Sequence, residues 1–410
     1  MSEPNDQFSA FRHSSYSRYF MARFLTAFSY HAIATAIGWH IWVETGNPFW
    51  LGLIGLVQFL PALLLVIVTG VATDRYSRRK IMAFAIIAMA ICAFSIMAMA
   101  ASGPLNPVWV MAVLAGFGIA RAFHSPASAS LVVNLVPKSE FQNAVGWVTS
   151  AWQLASIFGP VAGGFLAAFS RTAPYLCAAV LLIIAAVLIL SIAKPKQIIS
   201  KEKVDINVLL GGFRYIWKTK IVLGAITLDL FAVMLGGVVA LLPIFAKDIL
   251  GMGPSGLGWL RAAPGIGAIA IVLWMTRFPI RNHAGVILLT TVALFGAATI
   301  LFGVSNTVWL SLLALILVGA FDMVSVIIRE VLLQLWTPDE VRGRVNAVNS
   351  IFLMASNELG EARAGFFAAK WSTIITVIGG GIAAIGVTVL CGALFPSLRN
   401  VRQLEERLAP

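Results

Sequence analysis

Residues 70–80 of this 410-residue chain read Gly-Val-Ala-Thr-Asp-Arg-Tyr-Ser-Arg-Arg-Lys, and they separate two long apolar segments. Five charged side chains lie together at this junction, and four of the five are basic. Basic residues in a short loop mark the cytoplasmic side of a membrane protein. The aspartate can cap or pair with a helix end, and the glycine can let a helix end pack closely. The stretch therefore predicts a cytoplasmic turn between two membrane-spanning helices.

The composition is that of a polytopic membrane protein. Hydrophobic residues make up 60% of the chain and charged residues only 11%, and the mean hydropathy is +0.91. Soluble chains have roughly 45–50% apolar and about 25% charged residues. Apolar runs of about 20 residues, the length that crosses a bilayer as a helix, recur along the sequence. We therefore predict an all-α membrane protein with twelve transmembrane helices. The predicted segments are 18–43, 50–72, 81–102, 107–135, 142–169, 173–193, 221–246, 255–277, 284–305, 307–334, 344–368 and 372–395.

The net charge of +12 is unevenly distributed. With an even number of spans, both termini and every second loop share one side, and that side holds most lysines and arginines. The opposite side holds only Arg171, Lys247 and Lys370. This bias predicts a multi-pass protein of a bacterial-type inner membrane, with both termini cytoplasmic and the lipid bilayer as its partner. It accounts for the charge without nucleic acid. The three cysteines, all inside apolar runs, suggest neither a disulfide framework nor a metal site.

An internal repeat relates the two halves of the chain at an offset of 203 residues. Agreement of several small-residue landmarks at one offset predicts two six-helix bundles, as in many membrane carriers. The bundles are expected at 1–193 and 221–410, joined by a cytoplasmic linker at 194–220. The linker contains a short amphipathic stretch, 208–217, that we expect to lie at the membrane interface. The matched landmarks are Gly55 with Gly258, Pro61 with Pro264, Gly116 with Gly319, and Asn143-Ala144-Val145 with Asn346-Ala347-Val348.

A second informative stretch, Gly159-Pro160-Val161-Ala162-Gly163-Gly164, lies inside the fifth apolar segment. Glycine and proline weaken a soluble helix but are tolerated in lipid, and small residues let two helices approach closely. We expect this segment to pack on the eighth through Gly159, Gly163 and Gly164, with Gly265 and Gly267 as partners. Close helix packing of this kind would by itself have no bearing on the direction of transport.

Residues 70–80 resemble motif A of the major facilitator superfamily, with Ser77 where that family usually has glycine. Residues 159–164 resemble motif C of its antiporters. Together with further stretches in the expected order, they resemble the drug:proton antiporter branch that contains enterobactin exporters, macrolide-efflux-like proteins and lysophospholipid-transporter-like proteins. The further stretches are Leu51-Gly52-Leu53, Pro61, Val136-Pro137, residues 337–345 and residues 356–361.

The resemblance implies an alternating-access transporter that uses the proton gradient and no cofactor, with its cavity between the halves; we also expect a monomer. It implies a gating role for motif A and an antiport role for motif C. Asp74 is expected to dock near the positive start of the eleventh helix, around 343–345, and so to stabilise the outward-facing state. The gating residues are Gly70, Asp74, Arg75 and Arg78; the antiporter residues are Gly159, Pro160, Gly163 and Gly164.

Ionisable residues inside spans are costly and are therefore functional candidates. Asn357, Glu358 and Glu361 share one face of the eleventh segment, and two adjacent carboxyl groups are suited to carrying a proton. Their alternative role is a permanent ion pair with Arg329, Arg363 or Arg261. Asp322 is likewise a candidate either for proton transfer or for a permanent ion pair. It lies seven residues before Arg329, on the same side of the tenth segment, and this spacing predicts a charge network between the tenth and eleventh segments.

Other candidates are less sharply defined. His31 and Asp229 are candidates for proton transfer. The alternatives are that His31 is a hydrogen-bonded packing residue, as lone histidines inside membranes more often are, and that Asp229 pairs with a linker lysine. Arg121 and His124 share one face of the fourth segment, where Arg121 would attract an anionic substrate or neutralise a carboxylate. Trp39 and Trp152 lie deep enough to stack on an aromatic ligand, or simply to pack.

The favoured function is proton-coupled export of a small amphipathic organic molecule, either a siderophore or a drug. One alternative is a lysophospholipid carrier, or a siderophore carrier of the other direction. An alternative of another class is a membrane sensor or enzyme. Against that class, the sequence offers no nucleophile motif, metal-binding cluster, phosphate-binding loop or separate soluble domain.

Overall fold

A computed structural model of the chain describes residues 7–194, 206–278, 280 and 282–401. Throughout these residues the regular structure is helical, which confirms the predicted all-α architecture. Each of the twelve predicted segments coincides with a long helix, and only the seventh is broken. The helices are α1 (Ser14–Thr45), α2 (Pro48–Arg75), α3 (Arg78–Ser102), α4 (Pro107–Val132), α5 (Phe141–Phe169), α6 (Ala173–Leu190), α7 (Ile206–Lys218), α8 (Lys220–Gly236), α9 (Leu242–Ile244), α10 (Pro254–Arg277), α11 (Ala284–Val304), α12 (Val308–Trp336), α13 (Asp339–Lys370), α14 (Thr373–Leu394) and α15 (Pro396–Arg399).

Ten stretches of the described chain are long and apolar enough to cross a membrane. The long helices α1 and α13 are missing from this set because polar side chains interrupt them. In α13 these include Asn357, Glu358, Glu361 and Arg363, all near the middle of the helix. Helices α1 and α13, which polar side chains interrupt, therefore carry many of the candidate site residues.

The chain divides into two compact units. The N-unit comprises Met1–Thr45, Val57–Val204 and Gly253–Trp259, and the C-unit comprises Gly46–Leu56, Asp205–Met252 and Leu260–Pro410. The start of α2 therefore belongs to the C-unit, and the start of α10 belongs to the N-unit. The predicted amphipathic helix of the linker forms as α7, whereas residues 195–205 lie outside the described chain.

The same helix pairings occur in each unit. In the N-unit α1 packs on α5 and α6, while α3 packs on α4 and α6. In the C-unit α8 packs on α13 and α14, while α11 packs on α12 and α14. Because α8 to α14 repeat the order of α1 to α6, this recurrence of pairings agrees with the repeat read from the sequence.

The linker helix α7 is part of the C-unit and packs on α13 and on the end of α12. Gly212 lies against the backbone carbonyl of Arg344, and the rings of Phe213 and Phe352 meet edge to face at 5.4 Å. The hydroxyl of Tyr215 donates to the carbonyl oxygen of Trp336, the last residue of α12. The apolar face that was predicted to lie at the membrane interface is thus used, at least in part, for packing on α12 and α13.

Small residues allow α5 to lie unusually close to its neighbours in the N-unit. A Cβ atom at Gly159 would lie 2.7 Å from Cβ of His31, and one at Gly163 would lie 2.7 Å from Cα of Ala32. Both glycines therefore pack on α1. Gly164 faces Gly258 of α10, where an added Cβ would lie 3.0 Å from Cα.

The predicted packing on the eighth segment was wrong for Gly159 and Gly163, which lie against α1, and wrong in register for Gly164. Gly267 lies against Ile316 and Ala320 of α12, and the contact with α5 is made near Gly258, about two turns earlier on α10. Sequence pattern identifies a helix face that can be approached closely, but the register of two packed helices depends on side chains all along the contact.

The seventh predicted segment is interrupted rather than continuous. Helix α8 ends at Gly236, and the chain continues through a short 3₁₀ turn, Val239–Leu241, before α9 and a π-helical turn, Phe245–Ile249. Glycine and proline concentrate here, since Gly237 follows α8 and Pro243 begins the next helical turn. A broken helix in a membrane needs other groups to satisfy its freed carbonyls.

Arg363 supplies hydrogen-bond donors for two carbonyl groups at the end of α8. Its Nε atom donates to the carbonyl oxygen of Met234 at 2.9 Å, and its Nη2 atom donates to that of Leu235 at 2.6 Å. Gly360 and Gly380 make room for this arrangement, because each lies against one of the same two carbonyls. Arg363 therefore caps the end of α8 and is committed to the fold.

Replacing Gly163 by leucine is expected to lower the thermal stability of the purified protein, because the side chain would collide with α1. Overpacking of this kind typically costs about 1–3 kcal/mol. Gly146→Leu is the matched control on the same helix, since a Cβ at Gly146 meets no described atom within 4 Å. Equal melting temperatures for the two variants would contradict the close α1–α5 contact.

Replacing Arg363 by alanine is expected to destabilise the C-unit, because two backbone carbonyls at the end of α8 lose their donors. An unsatisfied buried polar group costs about 1–3 kcal/mol. Thermal unfolding of the purified protein measures this effect, with Lys370→Ala, at the exposed end of the same helix, as control. A melting temperature unchanged by Arg363→Ala would show that the break does not depend on this cap.

Candidate functional site

The N-unit contains two adjoining cavities between α1, α4 and α5. The larger has a volume of about 430 Å³ and the smaller about 80 Å³, and both are lined by Arg23 and Ser125. The larger lies toward the end of α4 and the start of α5, where the other lining residues are mainly apolar. The smaller is lined by Arg23, Thr26, Ala27, Tyr30, Met89, Phe117, Arg121, His124, Ser125 and Trp152.

Helical spacing brings the polar residues to one side of each helix. On α1, Arg23 and Tyr30 are seven residues apart, and on α4, Phe117, Arg121 and His124 follow at steps of four and three. Residues at such intervals lie one above another on a helix surface. The two helix faces therefore converge on one cavity.

Aromatic rings form much of the wall of the smaller cavity. The guanidinium carbon of Arg121 lies 4.2 Å from the centroid of the Tyr30 ring, within the range of a cation–π contact. The Tyr30 ring is nearly parallel to those of Phe117 and Trp152, at centroid distances of 6.3 and 6.4 Å. His31 meets the edge of Trp152 at 5.1 Å.

Four of the residues singled out from the sequence thus come together: His31, Arg121, His124 and Trp152. Trp39 lies elsewhere on α1, half-buried and outside the lining of both cavities. Sequence analysis did not single out Arg23, Tyr30 or Phe117. The available signal was their helical spacing from residues already identified, but Arg23 had been assigned to the cytoplasmic charge.

The basic groups of this cavity lack acidic partners. His124 is 5% exposed, and its Nε2 atom is buried with no hydrogen-bond partner among the described residues. The same holds for Nε of Arg23. No described carboxylate forms a salt bridge with Arg23 or Arg121, and no lining residue of either cavity is acidic. This part of the N-unit is therefore suited to an anion.

A pair of carboxyl groups forms the first polar centre of the C-unit. Glu358 and Glu361 lie one turn apart on α13, and both face Gly55 near the start of α2. A Cβ atom at Gly55 would collide with Oε2 of Glu358 and would lie 3.2 Å from Oε2 of Glu361. Arg261 of α10 interacts electrostatically with Glu361.

Asn357 was predicted to share the polar face of these glutamates, but its side chain is turned to its own helix. Its Nδ2 atom donates to the carbonyl oxygen of Leu353 at 2.8 Å, and the residue is exposed. The acidic pair is therefore the part of the predicted face that the C-unit brings together.

A buried ion pair forms the second polar centre of the C-unit. Nη1 of Arg329 on α12 donates to Oδ2 of Asp229 on α8, and their side chains are 2% and 6% exposed. Nη2 of Arg329 lies 3.9 Å from Glu330, whose carboxylate accepts a 3.1 Å hydrogen bond from Asn349 of α13. Asp229 thus pairs with Arg329, not with a linker lysine as one interpretation of the sequence held.

Two of the three arginines that were predicted as possible ion-pair partners of the glutamates are bound elsewhere. Arg329 is bound to Asp229 and Arg363 caps α8, so Arg261 is the arginine of the predicted three that interacts with Glu361. Asp322 lies two turns before Arg329 on α12 and interacts electrostatically with it and with Asp229. It therefore belongs to the second centre, not to the glutamate pair.

Residues 70–80 form the predicted turn, between the end of α2 at Arg75 and the start of α3 at Arg78. Nη1 of Arg78 donates to the carbonyl oxygen of Ser130 at 3.1 Å and to Oδ1 of Asn134 at 3.0 Å, which ties the turn to the end of α4. A Cβ at Gly70 would meet no described atom within 4 Å, so close packing does not explain this glycine.

Within the described residues, no group of three or more histidine, cysteine or acidic side chains could hold a metal ion. The candidate site residues that the structure describes offer buried charges, aromatic surfaces and carboxyl groups. Such groups can bind an organic ion and exchange a proton without a covalent step.

Comparisons with known proteins agree with this chemistry. The enterobactin exporter EntS of Escherichia coli O1:K1 is 25% identical over 396 residues, covering 95% of this chain and 94% of that protein. The EntS protein of Escherichia coli K12 is 24% identical over the same shares of the two chains.

Solved transporter structures share the fold. A bacterial homologue of the human lysosomal transporter Spinster superposes with a TM-score of 0.72 at 15% identity over the full length of both chains. The nucleoside transporter NupG gives 0.69 at 16% identity over 94% of this chain and 99% of that one. The family model of the Major Facilitator Superfamily matches residues 19–280, close to two thirds of the chain. The chain therefore belongs to the Major Facilitator Superfamily and is a membrane transporter.

Proposed function

We propose that this transporter exports a siderophore-like amphipathic organic molecule across a bacterial inner membrane. The observation that carries the proposal is the N-unit cavity, where Arg23, Arg121 and His124 converge with aromatic side chains. A mainly apolar cavity of about 430 Å³ adjoins it. Together they offer both a charged and an apolar surface, as an amphipathic solute requires. The full-length similarity to enterobactin exporters supports the same substrate class.

We further propose that export is driven by protons through the glutamate pair of α13. Glu358 and Glu361 share a small space beside Gly55, where two negative charges would repel each other. Arg261 would compete with a proton for these carboxyl groups. Asp322 and Asp229 are the next candidates, although Asp229 is already paired with Arg329.

The remaining parts of the proposal concern orientation and gating. Both termini are cytoplasmic in this interpretation, which places the turn at 70–80 on the cytoplasmic face together with most basic residues. Asp74 would then stabilise the outward-facing state, and the glycines of residues 159–164 would serve antiport. The working form is a monomer in the lipid bilayer, without nucleic acid and without a cofactor other than the proton gradient.

Complementation tests the export function. Expression of this chain in an Escherichia coli strain that lacks its own EntS is expected to restore enterobactin to the culture medium, measured by chromatography. Failure of a correctly inserted protein to do so would argue against siderophore export. Accumulation inside the cells would indicate a carrier of the other direction, and lysophospholipid movement in proteoliposomes would favour a lipid carrier.

Glu361→Gln is expected to abolish substrate-driven proton movement in proteoliposomes while substrate binding remains, because the amide cannot carry the proton. A pH-sensitive dye inside the vesicles measures this. Glu340→Gln, at the exposed start of the same helix, is the control. Gly55→Ala is a second variant, because its methyl group would displace the Glu358 carboxylate without removing it.

The outcomes separate two roles. Joint loss of folding and binding in Glu361→Gln would make the residue a structural partner of Arg261. Proton movement at the wild-type rate would assign coupling elsewhere, with Asp322, Asp229 and His31 as the next residues to replace.

A further inference from the structure

We propose that the N-unit cavity binds an aromatic ring that carries an anionic group, so that substrates are recognised through an acidic arene. This inference rests on the proposed export function and specifies its substrate class. It concerns the three basic and three aromatic side chains of the smaller cavity: Arg23, Arg121, His124, Tyr30, Phe117 and Trp152.

The charge of the ligand follows from the uncompensated basic groups. Arg23 lies on α1 and Arg121 on α4, yet neither forms a salt bridge with a described carboxylate. By contrast, Arg329 of the C-unit is paired with Asp229. A cation left without an acidic partner in a low-dielectric region favours an anionic ligand. The buried Nε2 atom of His124 is a further polar group, without a hydrogen-bond partner among the described residues.

The aromatic character follows from the walls. Trp152 is 40% exposed although it lies at the middle of α5, so much of its ring remains open to a ligand. The guanidinium carbon of Arg121 lies 4.2 Å from the centroid of the Tyr30 ring, and a guanidinium group placed over an aromatic ring can still donate from its edge to an oxyanion. A planar ligand could thus stack on one side chain while its oxygen atoms meet another.

The available volume suits a substituted ring. An apolar cavity of about 150 Å³ in another protein holds benzene. The two cavities here, about 430 and about 80 Å³, share Arg23 and Ser125, so together they have space for a ring that spans both, with its substituents in the larger one. The apolar part is lined by Val132, Phe141, Val145 and Val148, which can cover the uncharged face of the ligand.

Other substrate classes fit less well. A cationic drug would face the two arginines, Arg23 and Arg121, with no lining carboxylate to offset them. A lysophospholipid would supply an anion but no ring for Tyr30, Phe117 and Trp152. The acidic arene is the class that uses both features of the cavity.

Radiolabelled benzoate is the probe for this proposal, with the full-length protein purified in lipid nanodiscs. Unlabelled salicylate is expected to displace it. Cyclohexanecarboxylate, which keeps the charge but lacks the ring, is expected to be at least tenfold weaker, and benzylammonium is expected not to compete. Equal competition by benzylammonium, or equal affinity for cyclohexanecarboxylate, would overturn the assignment.

Variants locate the site. Arg121→Gln is expected to weaken benzoate binding at least tenfold, whereas Arg18→Gln, on the exposed start of α1, leaves it unchanged. Trp152→Leu is expected to weaken benzoate but not cyclohexanecarboxylate, with the 83%-exposed Trp309 replaced by leucine as control. Melting temperatures establish that each variant is folded, and Arg23→Gln replaces Arg121→Gln if the latter is not.

Wild-type benzoate affinity in both Arg121→Gln and Trp152→Leu would overturn the proposal. The result is separable from the export function. If enterobactin secretion is restored but benzoate does not bind at this cavity, export stands and the acidic-arene site falls. If benzoate binds as expected but secretion is not restored, the site stands and the proposed export of siderophores falls.

Discussion

Inside a bilayer, a charged or polar group has no water to bind, so it must find a partner within the protein or in a wet cavity. This constraint separates the intramembrane charges into two kinds. Arg363 donates to two carbonyls at the break of α8, and the charge of Arg329 is paired with that of Asp229. Such groups are part of the scaffold. By contrast, neither Arg23 nor Arg121 forms a salt bridge with a described carboxylate, and this is why we propose that they meet a substrate.

The two units divide this chemistry by sign. The N-unit cavity is basic and aromatic, whereas the C-unit holds the carboxyl groups Glu358, Glu361 and Asp322 along with arginines that balance them. An organic anion and a proton would therefore be bound by different sets of residues. Separate sites can be linked energetically without direct contact between the ligands, provided that both favour one of two conformations. Such an arrangement is compatible with antiport and requires no shared side chain.

Much of the fold could be predicted from the sequence because membrane helices are dictated by length and hydropathy. The twelve segments, the turn at 70–80 and the amphipathic helix of the linker all follow from local composition. The break after Gly236 did not follow, because its carbonyls are satisfied by Arg363, more than a hundred residues away. Two adjacent glycines, Gly236 and Gly237, weaken a helix, but nothing in the local sequence shows that a distant arginine stabilises the break.

The sequence identified the ionisable residues of the candidate site but not which of them pair with one another. Burial of ionisable residues identified Asp229, Arg329 and the glutamates, whereas their partners depend on which helix faces which. The glycines of α5 illustrate the same limit, since their closeness to a neighbour was expected but the register with α10 was not. Helical spacing relates residues of one helix, and it carries no information about the rotation of the next.

Helix α13 both packs closely on its neighbours in the C-unit and carries the glutamate pair. Gly360 packs on the backbone of α8, and Gly365 packs on that of α2. A Cβ atom at Gly365 would lie 2.6 Å from Cα of Gly52. That contact holds the start of α2 against α13 and, one turn later, places Gly55 beside Glu358 and Glu361. The glutamates are therefore positioned by glycine packing and not by a fixed salt bridge with α2. Protonation of this pair would change its charge while leaving the glycine contacts between α13 and α2 in place, which is compatible with the proton-carrying role that we propose for it.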